Sequence, residues 1–150
     1  MTIEEIRSLI NSISRELGNE IKKDDVEIYD RGLPHNSPKH LTKNHRAVYL
    51  FLYGDEYLKI GKVNENSNAR YTTGHYGFNH PSTLAKSIIR DEDFAQTNGI
   101  NEFNVADWIK QNCRRIDIEI SSILYDEFAV SLIEIILQYK LRPKYEGKTA

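Results

Sequence analysis

Hydrophobic residues recur at helical spacing along the first part of the chain. From Ile3 to Leu17 they follow a repeat of three and four residues, and Thr2 with Glu5 forms a capping box. The pattern predicts a helix over residues 2–17. Because the apolar seam is narrow, as in a coiled coil, it is interpreted either as packing on its own domain or as the contact of a homodimer.

Strand patterns occur in three later segments. Residues 46–53 and 57–63 are rich in β-branched and aromatic residues and flank a polar turn, which predicts a hairpin over 46–63. Residues 115–121 alternate between isoleucine and polar residues, which predicts a strand with its isoleucines inward. We therefore expect an α+β fold, in which a small three-stranded antiparallel sheet is flanked by helices.

The loop of the hairpin decides which strand positions share a face. A three-residue loop over residues 54–56 places Tyr53 opposite Tyr57 and brings Tyr49 and Lys59 to the same face. A two-residue loop puts Tyr49 and Lys59 on opposite faces unless a bulge intervenes. We expect the three-residue loop.

The chain is expected to divide into four segments. They are an N-terminal amphipathic helix in 1–22, a linker or loop over 23–45 with a candidate short strand at 26–29, the main domain over 45–146, and a tail over 147–150. Within the main domain, helices are predicted over 82–90, after Asn104, and from Asp126 to a point before Pro143. His35, His40 and His45 lie in the linker at intervals of five and are interpreted as solvated rather than metal-binding.

Composition narrows the class of protein. The net charge is −2, so the chain lacks the basic excess of a protein that binds nucleic acid non-specifically, and any DNA contact requires a local patch. Cys113 is the single cysteine and is expected in the core. Glu4 and Glu5 replace the basic residues of a signal peptide, and the apolar runs are too short to span a bilayer. We expect a cytoplasmic protein without a membrane partner.

Three polar residues are candidates for chemistry. Glu134 interrupts an apolar helix, where a carboxylate is partly desolvated unless a positive charge meets it. Mg²⁺ meets that need, because it binds through one or two carboxylates and keeps its waters. Arg70 is suited to bidentate phosphate binding, and His75 titrates near neutral pH. The alternatives are a glutamate paired with an arginine, a solvated arginine and an ordinary loop histidine.

In their order along the chain, these motifs resemble those of the GIY-YIG nuclease superfamily. The matching residues are Ala47-Val48-Tyr49, Lys59-Ile60-Gly61-Lys62, Arg70, Glu134 and Pro143-Lys144-Tyr145, and the resemblance covers roughly residues 45–146. Lys59 replaces the tyrosine of the second motif, with Tyr57 two residues earlier, and Glu146 replaces the terminal asparagine. His75 and Tyr76 are the alternatives for the histidine or tyrosine that follows the arginine.

The resemblance implies a metal-dependent DNA endonuclease, in a restriction, defence, phage or repair role, with Mg²⁺ or Mn²⁺ as cofactor. It implies that Glu134 binds the metal, Tyr49 orients or deprotonates the attacking water, and Arg70 holds a phosphate oxygen. Lys59, Lys62 and His75 are expected to favour the Tyr49 phenolate, and Lys62 also to bind phosphate. Further DNA contacts are expected from Lys86, Arg90, Lys110, Arg114 and Arg115.

Two other functions stay open. The altered second motif and the missing asparagine favour a non-catalytic nucleic-acid-binding or regulatory relative of the same fold. The seam of the N-terminal helix favours a structural protein whose surface charges only solvate it. The first alternative predicts binding without cleavage, and the second predicts no metal-dependent effect on nucleic acid.

Overall fold

A four-stranded antiparallel sheet with helices on both faces organises residues 1–146, the part of the chain that the computed structural model describes. The elements are α1 (Ile3–Glu16), β1 (Glu27–Gly32), β2 (His45–Tyr53), β3 (Glu56–Val63), α2 (Asn68–Thr72), α3 (Leu84–Arg90), α4 (Glu92–Thr97), α5 (Val105–Asn112), β4 (Arg114–Ser121) and α6 (Glu127–Leu141), with 3₁₀ turns at Lys23–Asp25 and Gly74–Tyr76. The strand order is β1-β4-β2-β3. The α+β class is confirmed, whereas the expected tail over 147–150 lies outside the described residues.

The sheet contains a fourth strand that the expected three-stranded sheet omits. β1 lies in the segment expected to be a linker or loop and pairs antiparallel with β4, with Ile28 opposite Ile118. Ile28 is the only aliphatic residue of β1, because an edge strand with a solvated surface needs few apolar residues. Its hydrophobic pattern is therefore too weak to predict a full strand.

One face of the sheet packs against α1 and α6. The isoleucines of β4, Ile116, Ile118 and Ile120, are buried here as predicted. Ile6 and Ile10 of α1 are fully buried in the same cluster, so these seam positions pack on their own domain. Both hydrogen bonds of the Thr2–Glu5 capping box are present. Asp126 caps α6 by accepting a hydrogen bond from the Ala129 N–H.

No helix in the described part of the chain combines the length and the hydrophobicity that a bilayer crossing requires.

The opposite face of the sheet buries charge. The alternating pattern predicts that Arg115, Asp117 and Glu119 face outward, but all three are buried because α2–α5 cover this face as well. Arg115 Nε and Arg31 Nε each donate to Asp117, both at 2.9 Å. Arg115 also donates to the Tyr71 carbonyl at 2.6 Å. The expected contact of Arg115 with DNA is therefore wrong, since this guanidinium is part of the core.

His35 is buried rather than solvated. One ring nitrogen is 2.6 Å from the Cys113 carbonyl oxygen, and the other is 2.8 Å from the Tyr76 hydroxyl. Burial lowers the pKa of His35, so the ring is neutral at pH 7. Cys113 is in the core as expected, and burial raises the pKa of its thiol to about 12. This histidine ties the linker to α5 and the 3₁₀ turn before α3.

The buried ion pair gives a first prediction. Arg115→Met leaves Asp117 without one of its two cations and should lower the free energy of unfolding by about 3–5 kcal/mol. Arg114→Met is the matched control, because Arg114 is exposed and pairs with Asp30 at the surface. It should cost about 1 kcal/mol or less. Urea unfolding of both variants measures the difference, and equal losses would contradict a structural role for the buried pair.

Candidate functional site at the outer edge of the sheet

The hairpin reaches the expected register by an unexpected route. Its turn has two residues, with Tyr53 opposite Glu56, so the three-residue loop is wrong. Gly54 takes a positive φ of 58° at the first turn position, which suits a tight hairpin. A bulge at Leu58 then restores the pairing, so that Phe51 lies opposite Lys59. Further along, Tyr49 lies opposite Gly61, and the lysine and the phenol share a face.

The Tyr49 side chain lies across Gly61 of β3. A Cβ built on Gly61 would lie 2.6 Å from Tyr49 Cζ and would also overlap the hydroxyl. A side chain at this position would therefore have to displace the ring. The missing side chain at Gly61 lets the phenol ring lie over the outermost strand, with its oxygen above Gly61.

Groups from α6 and from the chain after it cover the outer edge of β3. The Lys144 and Tyr145 N–H groups each donate to β3 carbonyls at 2.9 Å, and Gln138 Nε2 donates to the Ile60 carbonyl at 2.8 Å. The Lys62 backbone N–H faces the Glu134 carboxylate. A sheet edge needs such partners to avoid pairing with other chains. Glu134 is thereby held beside β3, the strand over which the Tyr49 ring lies.

The phenol of Tyr49 is held in a buried, mixed-charge environment. Its side chain is 2 % exposed, and burial raises its pKa above the usual value. The Arg70 guanidinium lies beside the phenol and opposes this shift, whereas the Glu146 and Glu134 carboxylates reinforce it. The structure thus brings Arg70 and Glu134 within electrostatic reach of the Tyr49 phenol.

Lys59 does not act on Tyr49 as expected. Its side chain is almost fully buried, and Nζ lies 3.0 Å from Glu146 Oε1. Because this carboxylate offsets the ammonium charge, and because burial is the dominant influence on Tyr49, the phenol is protonated near pH 7. The expectation that the lysines and His75 favour the phenolate is wrong for this state of the site.

Glu134 is half-buried at the same edge. Burial raises the pKa of its carboxyl group, the Lys62 ammonium lowers it, and the Glu146 carboxylate raises it. Lys62 Nζ itself donates to Ser131 Oγ at 2.6 Å and so stays close to α6. Among residues 1–146, no group of three or more histidine, cysteine, aspartate or glutamate side chains forms a ready-made metal cage. The donor set suits a hard cation that keeps most of its waters.

His75 lies beneath the phenol rather than at the surface. It is fully buried, and its ring centroid is 4.0 Å from that of Tyr49. Within residues 1–146 neither ring nitrogen has a hydrogen-bond partner. Burial, together with Arg115, lowers the pKa of His75 well below its usual value, so the ring is neutral at pH 7. His75 supports the position of Tyr49 and has no open path to a substrate.

Tyr76 and Tyr57, the other two residues that could complete the site, lie away from the Tyr49 phenol. The Tyr76 hydroxyl already contacts His35 and accepts a hydrogen bond from Arg115. Tyr57 packs with the cluster on the α1–α6 face, because the bulge at Leu58 reverses the alternation on that side of the hairpin. Neither tyrosine joins the phenol of Tyr49.

The other expected DNA contacts are scattered over the surface. Arg90 and Arg114 are exposed, and Arg114 pairs with Asp30 at 3.0 Å. Lys86 and Lys110 are half-buried, and Lys110 Nζ lies 5.2 Å from the Tyr76 ring centroid. With Arg115 in the core, these residues do not form one continuous basic surface.

Sequence reasoning missed three residues that complete the site: Ser131, Gln138 and Glu146. Ser131 and Gln138 lie three residues before and four residues after Glu134, so all three share one face of α6. That spacing was the available signal. Glu146 carried a different signal, because it and Lys59 are two of the places where the chain departs from the resemblance, and they contact each other.

Comparisons of this chain with protein-family models, with curated proteins and with solved structures find no match.

The crossing of Tyr49 over Gly61 gives a second prediction. Gly61→Ala should displace the phenol ring and lower the free energy of unfolding by about 1–3 kcal/mol. Gly77→Ala is the matched control, because a Cβ there meets nothing within 4 Å and should cost much less. Urea unfolding measures both variants. If Gly61→Ala is as costly in a Tyr49→Ala background as in the native chain, the contact is not the cause.

The buried neutral histidine gives a third prediction, on pH. The unfolded chain protonates His75 as the pH falls below about 6.5, whereas burial opposes protonation in the folded chain. Stability should therefore be present above pH ~6.5 and decline below it, with His75 contributing up to ~1.4 kcal/mol per pH unit.

His75→Phe should reduce this slope, because it keeps a ring against Tyr49 and removes the titration. The exposed His40→Phe variant is the control and should leave the slope unchanged. His35 contributes in the same direction in both variants and cancels from the comparison. Urea unfolding at several pH values tests the idea, which fails if the two variants show the same dependence.

Proposed function

We propose that this chain is a metal-dependent endonuclease that hydrolyses DNA phosphodiester bonds at the outer edge of β3. The observation that supports the proposal is that the Glu134 carboxylate of α6 lies within electrostatic reach of the Tyr49 phenol, which lies over Gly61 of β3. Arg70 lies beside the phenol. An acid, a cation and a hydroxyl group in one place are suited to holding a phosphate and a water together.

Glu134 is the residue that would hold Mg²⁺ or Mn²⁺. Its carboxylate is half-buried and faces one backbone N–H, and Mg²⁺ typically binds through one or two carboxylates together with waters and substrate phosphate. When bound, such an ion supplies positive charge that offsets the charge developing on the phosphate and on the leaving oxygen.

Tyr49 and Arg70 then act on the substrate itself. The neutral phenol orients the attacking water through a hydrogen bond, and Arg70 donates to a non-bridging phosphate oxygen as negative charge builds there. Arg70 also opposes the effect of burial on the phenol, because its positive charge lowers the pKa of Tyr49. His75 fixes the ring of Tyr49 from below.

Lys59 contributes through its pairing with Glu146. A phosphate that enters this edge competes with the Glu146 carboxylate for the Lys59 ammonium. Lys62, which is exposed and reaches Ser131, provides a second cation at the rim for the same strand of DNA. Both lysines therefore bind the substrate backbone rather than activate the phenol.

A non-catalytic DNA-binding or regulatory module is the second candidate. It is favoured by the near-complete burial of Tyr49 and by the ion pair that occupies Lys59. It differs from the nuclease in one respect: it binds DNA without cleaving it. A gel-shift assay beside the cleavage assay separates the two functions.

The fourth prediction is that the chain nicks supercoiled plasmid in the presence of Mg²⁺, which tests the nuclease activity directly. Tyr49→Phe, Arg70→Ala and Glu134→Gln should each slow nicking by about 10²-fold or more, and EDTA should abolish it. Glu127→Gln is the matched control, because Glu127 is exposed on the same helix and should nick normally. Nicking by Glu134→Gln at the native rate would refute the mechanism.

A further inference from the structure

The outer surfaces of α1 and α6 carry an apolar stripe that the fold leaves uncovered. Its members are Leu9 and Ile13 on α1, Leu17 directly after α1, and Phe128, Leu132, Ile135 and Tyr139 on α6. The α6 members follow a repeat of four, three and four residues and so share one face of the helix. Phe128 is 76 % exposed and Tyr139 is 73 % exposed. Contiguous apolar surface of this kind marks an interaction site.

The stripe contains two hollows at opposite ends. The acidic hollow, of about 740 Å³, lies between the end of α1 and the start of α6, and its lining includes Glu20 and Asp126. The basic hollow, of about 580 Å³, lies between Leu9 and Ile13 of α1 and the end of α6, where Lys140 lines it. α1 and α6 therefore run antiparallel along the stripe, with one hollow at each end.

The two ends of the stripe carry opposite charges, as the linings of the two hollows do. At the basic hollow, the Arg142 guanidinium lies 4.5 Å from the Tyr139 ring centroid and adds to the charge of Lys140. At the acidic hollow, Glu20 and Asp126 are both exposed. The stripe is thus apolar along its length, negative at one end and positive at the other. A surface that is turned end over end matches these charges.

We propose that the stripe binds a second copy of this chain in a two-fold symmetric dimer with the two α6 helices antiparallel. Two-fold symmetry places the acidic hollow of each copy against the basic hollow of the other, and both ends gain opposite charges at once. Phe128 and Tyr139 are separated by 11 positions. At ~1.5 Å per residue they are about 16 Å apart, so each phenylalanine meets the tyrosine end of the other copy.

Shape follows the same symmetry. The exposed ring of Phe128 enters the basic hollow of the second copy beside its Ile135 and Tyr139, and Tyr139 enters the acidic hollow beside Leu17 and Leu124. Large aromatic side chains that fill hollows of the facing copy are typical anchors of protein interfaces. A second copy is complementary to both hollows and both charges by symmetry, whereas nothing makes an unrelated protein complementary to all four.

The proposed interface differs from a simple coiled coil of N-terminal helices. Ile6 and Ile10 are buried inside their own domain, so α1 offers only its outer residues, and α6 supplies the larger aromatic anchors. The proposal does not depend on nuclease activity, because none of its residues belongs to the edge of β3 at which Tyr49 and Arg70 meet.

The dimer is the fifth prediction. Sedimentation velocity and light scattering of the full chain over a wide concentration range measure it. The native chain should have twice its monomer mass of 17.4 kDa. Phe128→Asp and Tyr139→Asp should each raise the dissociation constant at least about tenfold. Phe103→Asp is the matched control, because Phe103 is 88 % exposed outside the stripe and should leave the dimer intact.

A charge reversal makes the test specific for the proposed orientation. Glu20→Lys and Lys140→Glu should each weaken the dimer, and the double variant should restore it, because the two positions meet across the two-fold axis. Circular dichroism confirms that each variant is folded. A chain that is monomeric at all concentrations, or a dimer that tolerates Phe128→Asp and Tyr139→Asp, would overturn the proposal. Failure of the double variant to recover would overturn the antiparallel orientation.

Discussion

The contact between the Tyr49 ring and Gly61 is the constraint on which the candidate site depends. A strand normally separates what lies on its two faces, and the two faces here carry different helices. Because Gly61 has no side chain, the phenol lies over β3, within electrostatic reach of the Glu134 carboxylate on α6. The bulge at Leu58 is part of the same arrangement, since without it Tyr49 and Lys59 would lie on opposite faces.

Burial, rather than charge, controls the ionisation of the site in this state. Desolvation is the largest influence on the pKa values of Tyr49, His75 and Glu134, and in each case it favours the neutral form. Two of the nearby cations already have partners, because Lys59 pairs with Glu146 and Lys62 donates to Ser131. Arg70 is the cation placed to act on the phenol. A phosphate that entered this edge would exchange one anion for another at Lys59 and leave the hydrogen bonds of the core unchanged.

Sequence patterns predicted the helices and strands that have a strong hydrophobic repeat. They failed for polar residues that are buried. The capped repeat from Thr2 and the segment after Asp126 identified α1 and α6, and the hairpin was correctly located. Arg115, Asp117 and His35 were misplaced, because polar residues in an alternating strand or a loop look solvated unless the covering elements are known. The pairing of Lys59 with Glu146 joins residues far apart in the chain, which no local pattern encodes.

The most direct test asks whether a divalent cation binds where the phenol and the carboxylate meet. Mn²⁺ added to isotopically labelled protein broadens the amide resonances of nearby residues, independently of any cleavage. The amides of Gly61 and Lys62 should broaden first in the native chain and stay sharp in Glu134→Gln. Broadening confined to another part of the chain, or unchanged by Glu134→Gln, would contradict a metal-dependent site at the edge of β3.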